Sequence, residues 1–257
     1  TDIKSVKRNL GQTEAAYLLI SKYSSPSFNS AVNILPQLTR AQLGATLTPG
    51  ELLKTADVLR CIRELRAWRD NSSTEHETSI DYLFNALIPN KFLEEKITFC
   101  IKSEDEIADS ASGTLSDIRR KITSKSAKIR ENLNKIIRGQ TSKYLQDAVI
   151  TQRDGRFVVP LKAEHKGEIQ GIIHDTSSSG STLFIEPMAV VKLNNDLKEL
   201  YGKEQEEIQV ILARLSSDAA DYMEEIRTDY KVMTELDFIF ARVICRANAD
   251  QYTVAIG

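Results

Sequence analysis

His174 and Asp175 stand beside Ser177, Ser178, Ser179 and Ser181, a combination that could supply base, orienting acid and nucleophile for a hydrolysis. That chemistry needs the base within hydrogen-bond reach of a hydroxyl and a third group that orients the base. Adjacent residues of a strand point to opposite faces, so His174 and Asp175 do not make such a relay. No Gly-x-Ser-x-Gly elbow is present either. The segment reads instead as a turn, with Asp175 and the serine hydroxyls bonding loop amides. A second chemistry is anion binding: Ser178, Ser179 and Gly180 could offer a nest of backbone amides to a phosphate. Cations lie close in sequence. Arg156 and Lys162 share one face of a strand, Arg153 sits in the adjoining turn, and Lys166 follows. These seven residues are the candidate phosphate contacts, although Asp154, Glu164, Glu168 and Asp175 leave the segment near neutral. Phe157 and Phe184 read as a small core, so few aromatics remain to stack on bases.

A second basic group lies upstream. Arg119, Arg120, Lys121, Lys125, Lys128, Arg130, Lys135 and Arg138 stud one helix. Arg119, Arg120 and Lys128 in particular could form a phosphate-facing stripe. The preferred reading is charge matching with a partner helix that carries Glu199, Glu204, Glu206 and Glu207.

The elements that must position these residues are of two kinds. A β-island runs from about Val149 to Pro187. Arg153-Asp154-Gly155-Arg156 is a tight hairpin turn. Phe157, Val159 and Leu161 alternate with Arg156, Val158, Pro160 and Lys162 along one strand, where Pro160 implies an edge or a bulge. Ile169 to Ile173 and Thr182 to Ile185 are the other strands, joined by the Ser177–Ser181 turn. Everything else reads as helix. Leu115, Ile122, Ile129 and Ile136 sit seven apart, with Ile118 and Leu133 between them, a seam for one partner helix that ends near Arg138-Gly139. From Met188 to about Arg246 one long helix is expected, its apolar series Ile208, Leu212, Leu215, Ala219, Tyr222, Ile226, Met233, Leu236 and Phe240 interrupted at Asp229. Upstream, Ile3, Val6, Leu10, Tyr17 and Ile20 keep helical spacing until Ser24-Ser25-Pro26-Ser27. Thr48-Pro49-Gly50-Glu51 starts a helix with a capping box, bearing Leu52, Leu53, Ala56, Leu59, Ile62 and Leu65. Asn71-Ser72-Ser73-Thr74 ends it, and shorter helices follow over Ile80 to Leu87 and around Phe92, Leu93 and Ile97.

Bulk properties narrow the class. The 257 residues are 27% charged and 41% hydrophobic, with a net charge of −2. There is no global basic field. Cys61, Cys100 and Cys245 are few and far apart, which fits a reducing, cytoplasmic setting with buried or idle thiols better than disulfides. No zinc spacing, signal peptide or membrane-length apolar run occurs. Trp68 reads as packing, and His76 and His165 as solvent-facing. The chain opens within a helical pattern and without Met, as a piece of a longer protein would.

The motif His174-Asp175-x-Ser177-Ser178-Ser179-Gly180-x-Thr182-Leu183-Phe184-Ile185-Glu186-Pro187 resembles the signature of the bacterial MutS paralogue that carries a C-terminal Smr domain. Asp109-Ser110-Ala111-Ser112 with Leu115 and Ile118-Arg119, Arg153-x-Gly155-Arg156-Phe157-Val158-Val159-Pro160-Leu161-Lys162-Ala163-Glu164, and Leu193-Asn194-Asn195-x-Leu197-x-Glu199-Leu200 resemble the same family. The resemblance implies a mainly α fold: a helical core, a long antiparallel two-helix lever, and a small antiparallel β clamp at its tip. It sets the boundaries at 1–112 for the core, 113–143 for the outgoing helix, 144–187 for the clamp, 188–215 for the returning helix and 216–257 for the segment packed on the core. It further implies an ATPase that uses ATP and Mg, dimerises, and bears a nuclease domain. Its partners would be branched or duplex DNA in the suppression of recombination, or collided ribosomes. By that analogy the phosphate candidates become nucleic-acid contacts, made to backbone and shape. No GxxxxGK[ST] loop occurs, since Lys203 of Gly202-Lys203 is followed by Glu204, so catalysis is not expected of this chain. The rival reading is a coiled-coil spacer whose β tip binds protein and no nucleic acid.

Overall fold

The computed structural model describes residues 3–72 and 77–254, with side chains to residue 245. His76 lies outside the described residues, as do Ser73 and Thr74. In chain order the elements are α1 (Ile3–Tyr23), α2 (Leu35–Gln42), α3 (Pro49–Asn71), α4 (Asp81–Ala86), α5 (Lys91–Cys100), β1 (Ile101–Ser103), β2 (Glu106–Ile107), α6 (Gly113–Ile137), β3 (Thr151–Arg153), β4 (Arg156–Lys162), β5 (Gly171–Thr176), β6 (Thr182–Pro187), α7 (Met188–Asp221) and α8 (Met223–Val254). The fold is mainly α, as expected, with two small antiparallel sheets, of which the four-stranded one is the expected β part. The chain divides into two compact units, residues 1–108 with 211–257, and residues 109–210.

The first unit is helical. Thr48 starts α3 as the capping box requires: its hydroxyl accepts the Glu51 N–H and the Glu51 carboxylate returns a bond to Thr48 N. Leu52, Ala56, Leu59, Ile62 and Leu65 are buried along it. Trp68, Phe84 and Phe240 form an aromatic cluster, with Trp68 and Phe84 each edge-on to Phe240 at 5.7 and 6.3 Å. Two departures from the expected pattern stand out. In α1 the spaced residues Ile3, Val6, Leu10 and Tyr17 are exposed, and Gln12, Ala15, Ala16 and Leu19 are buried. α1 lies against α8, and its larger apolar face is not the packed one. The two-strand hairpin β1–β2 also went unread, because strands of three and two residues carry no period.

The long helix expected from Met188 to Arg246 is two helices, α7 and α8, broken at Tyr222. The burial series runs on through the break as Leu215, Ala219, Met223, Ile226, Asp229 and Met233. The Tyr222 carbonyl also still accepts the Ile226 N–H at 2.9 Å. A one-residue turn that preserves the apolar face is invisible to periodicity. Asp229, the apparent interruption, is itself buried on that face.

In the second unit, α6 and the first part of α7 pair antiparallel. Ser112 meets Glu207, Arg119 meets Glu204 at 2.7 Å, and Lys125 meets Asp196 at 2.6 Å, so one numbering descends as the other climbs. Leu115, Ile118, Ile129 and Leu133 are buried in the predicted seam. The sheet order is β3-β4-β6-β5, all antiparallel. Its Phe157, Val159, Leu161, Leu183 and Ile185 share one core with Ile129 and Leu133 of α6 and Val190 and Leu197 of α7.

Candidate nucleic-acid interface

The Asp154-Gly155 turn has both central residues at positive φ, 47° and 75°, which matches the twist of the hairpin β3–β4. It sets Arg153 opposite Arg156. β4 is not the edge strand that Pro160 implied: it lies between β3 and β6. Proline is tolerated because β3 reaches back only to the Thr151–Val158 pair. Beyond it the Pro160 carbonyl accepts the Gln146 N–H, and no ladder asks for the missing donor. The expected polar face of β4 is also absent, since every residue from Phe157 to Leu161 is buried.

β5 carries a bulge. Ile173 pairs with Ile185 and Asp175 with Phe184, which leaves His174 as the extra residue. The bulge sends His174 and Asp175 to different partners. His174 Nε2 lies 2.5 Å from Glu186 Oε2, and Asp175 accepts a bond from Arg153 Nε at 2.9 Å. Among the described residues no serine hydroxyl is paired with His174, whose Nε2 faces Glu186. The hydroxyls of Ser177, Ser179 and Ser181 bond one another, at 3.3 and 2.7 Å, and Ser177 Oγ accepts the Thr182 N–H.

Glu186 is the centre of the arrangement. It is fully buried, and around it gather Arg156 Nη1 at 2.9 and 3.1 Å, His174, and Asn194 Nδ2 at 2.7 Å. Asn194 bonds both the N–H and the carbonyl of Phe157 at 3.2 and 3.1 Å, and Asn195 Oδ1 takes Arg156 Nη2 at 2.6 Å. The network thereby ties β4, β5 and β6 to α7. A buried carboxylate is tolerated when its oxygens are satisfied by charged and amide donors, and these are. This assembly was not legible from the residues, because burial of a polar group depends on partners some thirty positions away.

The seven sequence candidates therefore fall in different places. Arg156 is held by Glu186 and Asn195 with its side chain 18% exposed. Arg153 pairs with Asp175 and stacks 3.8 Å above the Phe184 ring. Lys162, Lys166, Ser178, Ser179 and Gly180 come together at one end of the sheet. Lys162 lies opposite Thr182, the Ala163 N–H donates to the Ser181 carbonyl at 2.9 Å, and Lys166 closes the short turn that follows. Residues outside the seven complete this end. Lys162 Nζ reaches the Lys143 carbonyl at 3.3 Å, Lys143 lies over the Tyr144 ring, and Tyr144 packs on His165 with ring centroids 4.9 Å apart. His165 is thus partly covered by an aromatic neighbour and not simply solvent-facing. Three lysines, a histidine and an exposed Ser/Gly turn share this end with Glu164, which lies 3.6 Å from His165.

On the helix pair, Arg119 is engaged by both Asp109 and Glu204, and Arg120 by Asp117. Lys128 is exposed. Charge matching describes Arg119 and Lys125. The predicted partner Glu199 instead binds Lys203 on its own helix. Among the described residues no cluster of His, Cys, Asp and Glu could hold a metal ion, and no helix is long and apolar enough to cross a membrane.

No family model matches the chain. Curated relatives do. The chain is 46% identical over 244 residues to an Endonuclease MutS2 of Ruminiclostridium cellulolyticum, covering 94% of this chain and 31% of that protein. It is 40% identical over 267 residues to the Endonuclease MutS2 of Acetivibrio thermocellus, covering 100% and 34%. Against that of Clostridioides difficile it is 43% identical over 245 residues, covering 94% and 31%. The chain thus spans about a third of the length of the curated relatives it matches. Over nearly its whole length, the chain is similar to about a third of proteins named Endonuclease MutS2, as a piece of such a protein is.

Proposed function

We propose that residues 113–215 act as the lever and clamp of a MutS-like ATPase, and that the clamp holds nucleic acid by its phosphate backbone. In this reading the lever helices are residues 113–143 and 188–215, the clamp is residues 144–187, and residues 1–112 and 216–257 belong to the core. ATP and Mg would be bound, and dimers formed, by parts of the protein outside this chain. The relatives' printed name, an endonuclease of MutS type, supports an assignment to DNA. Branched DNA and the ribosomal RNA of collided ribosomes both offer the phosphates required.

One observation carries the proposal. Lys162 ends β4 opposite Thr182 with its Nζ on the Lys143 carbonyl, Ala163 bonds Ser181 of the Ser177–Ser181 turn, and Lys166 closes the short turn after β4, whereas Arg156 is held by Glu186. Backbone contacts of this kind position a duplex without reading its sequence. The test is the triple variant Lys143→Glu, Lys162→Glu, Lys166→Glu in the complete protein, titrated against branched DNA and ribosomes at several salt concentrations. Loss of about three phosphate contacts lowers the slope of log affinity against log salt by about 3. Unchanged affinity and slope would remove the proposal in favour of a spacer whose tip binds protein.

A further inference from the structure

Among the described residues, the buried face of α8 carries one acid. Asp229 is 2% exposed, and its Oδ1 accepts the Ile88 N–H at 3.0 Å. Among the described residues no donor reaches Oδ2. Glu225 stands one turn earlier on the same side of α8. The two acids line a cavity of about 360 Å³ with Ile88, Phe92, Tyr222 and Ile226. Ile88 and Phe92 are 64% and 65% exposed and Glu225 is exposed as well, so large apolar surfaces and a second acid surround the buried Asp229. The cation that also lines the cavity, Lys91, is drawn to Glu95 at 3.4 Å, and Lys96, which lies over the Phe92 ring, is held by Asp218 at 2.7 Å.

Folding alone gives little reason for this acid. The Ile88 N–H needs one acceptor, which a neutral asparagine would supply without the cost of burying a charge. Burial instead holds the Asp229 carboxyl up at about 6, and the negative charge of Glu225 adds to the shift. An entering cation would relieve both. We infer that this cavity receives the arginine side chain of another polypeptide. A planar guanidinium can bridge two carboxylates, is more weakly hydrated than an ammonium, and stacks on aromatic faces such as Phe92 and Tyr222. Its aliphatic stem would cover Ile88 at the rim. The volume is at the lower end of the range of about 300–1,000 Å³ for small-molecule sites, which suits one side chain better than a cofactor.

The probe is Nα-acetyl-arginine amide, titrated into the protein while the Ile88 amide resonance is followed. A saturable shift is expected, weaker with the lysine counterpart and absent with the uncharged citrulline counterpart. Asp229→Asn keeps an acceptor for Ile88 and should weaken binding at least about tenfold, the scale of a hydrogen bond to a charged group. Phe92→Ala, at the exposed rim, should weaken binding and leave the fold intact. Citrulline binding as well as arginine, or arginine binding Asp229→Asn as tightly as the parent, would overturn the inference. Spermidine binding more tightly than the arginine amide would overturn the polypeptide source and assign the cavity to a free polyamine.

Discussion

Arg156 donates from Nη1 to both carboxylate oxygens of Glu186, at 2.9 and 3.1 Å, and Glu186 has no exposed surface. An arginine that reads as a phosphate contact is thereby a structural cation. Taking away one partner of a buried pair costs about 3–5 kcal/mol, because the other charge is left uncompensated. Arg156→Ala and Glu186→Gln should each destabilise the unit of residues 109–210 by that order in urea unfolding. Arg153→Ala, whose partner Asp175 is exposed, should cost only about 1 kcal/mol. Equal, small losses for all three would show that the network carries no weight.

Gly171 faces a second constraint at the same sheet. A Cβ placed there would meet the Glu186 carbonyl oxygen at 2.2 Å and Ile185 Cγ1 at 2.8 Å. The carbonyl belongs to the backbone of β6 and cannot swing aside. Gly171→Ala should therefore cost more than the roughly 0.5–3 kcal/mol of an ordinary substitution. It should also increase amide exchange along β5 ahead of the helices.

Asp229 sets a pH dependence whose sign follows from its raised pKa. The folded carboxyl titrates at about 6, against 3.8 for an unperturbed aspartate, so the folded state holds the proton more tightly. The stability it contributes is complete below about 4 and is lost as pH rises through 6. Two pKa units correspond to about 3 kcal/mol. Asp229→Asn should raise the melting temperature at pH 7–8, and its advantage should shrink towards pH 4. Asp81 and Glu94 run the other way: burial pushes Asp81 up, but Arg69 and Thr78 together hold it low, and the Arg63 hydrogen bond holds Glu94 low against burial. The difference between parent and Asp229→Asn isolates the one group.

Thiol labelling should sort the cysteines by depth. Burial pushes the Cys61 thiol up to about 11 and raises Cys100 as well, whereas Cys245 is exposed. Since the thiolate is the reactive form, a maleimide at neutral pH should modify Cys245 first. Cys61 should react only after unfolding. Modification of Cys61 at the rate of Cys245 would mean that α3 opens readily in solution.

How much of this could be read from residues depended on the range of the interaction. The seam of Leu115, Ile118, Ile129 and Leu133, the capping box of Thr48 and Glu51, and the Asp154-Gly155 turn are local, and each formed as its spacing predicts. The lysine end of the sheet was half legible. Lys162, Lys166 and the serine turn were identified, but Lys143 joins them only through a bond that spans nineteen positions. The Glu186 network was illegible for a related reason. His174 reaches it through a bulge, which a two-residue period cannot reveal, and Asn194 comes from a different helix.

The bulge at His174 also imposes a counting rule on evolution of the chain. Register is kept on both sides of the extra residue, so deleting that one position would leave the β5–β6 pairs on either side in place and remove only the bulge. Asp175 would stay opposite Phe184, and no imidazole would stand where His174 meets Glu186. Length variation in this tip should therefore collect in the Ser177–Ser181 turn, or arrive in β5 as loss of the single bulge residue.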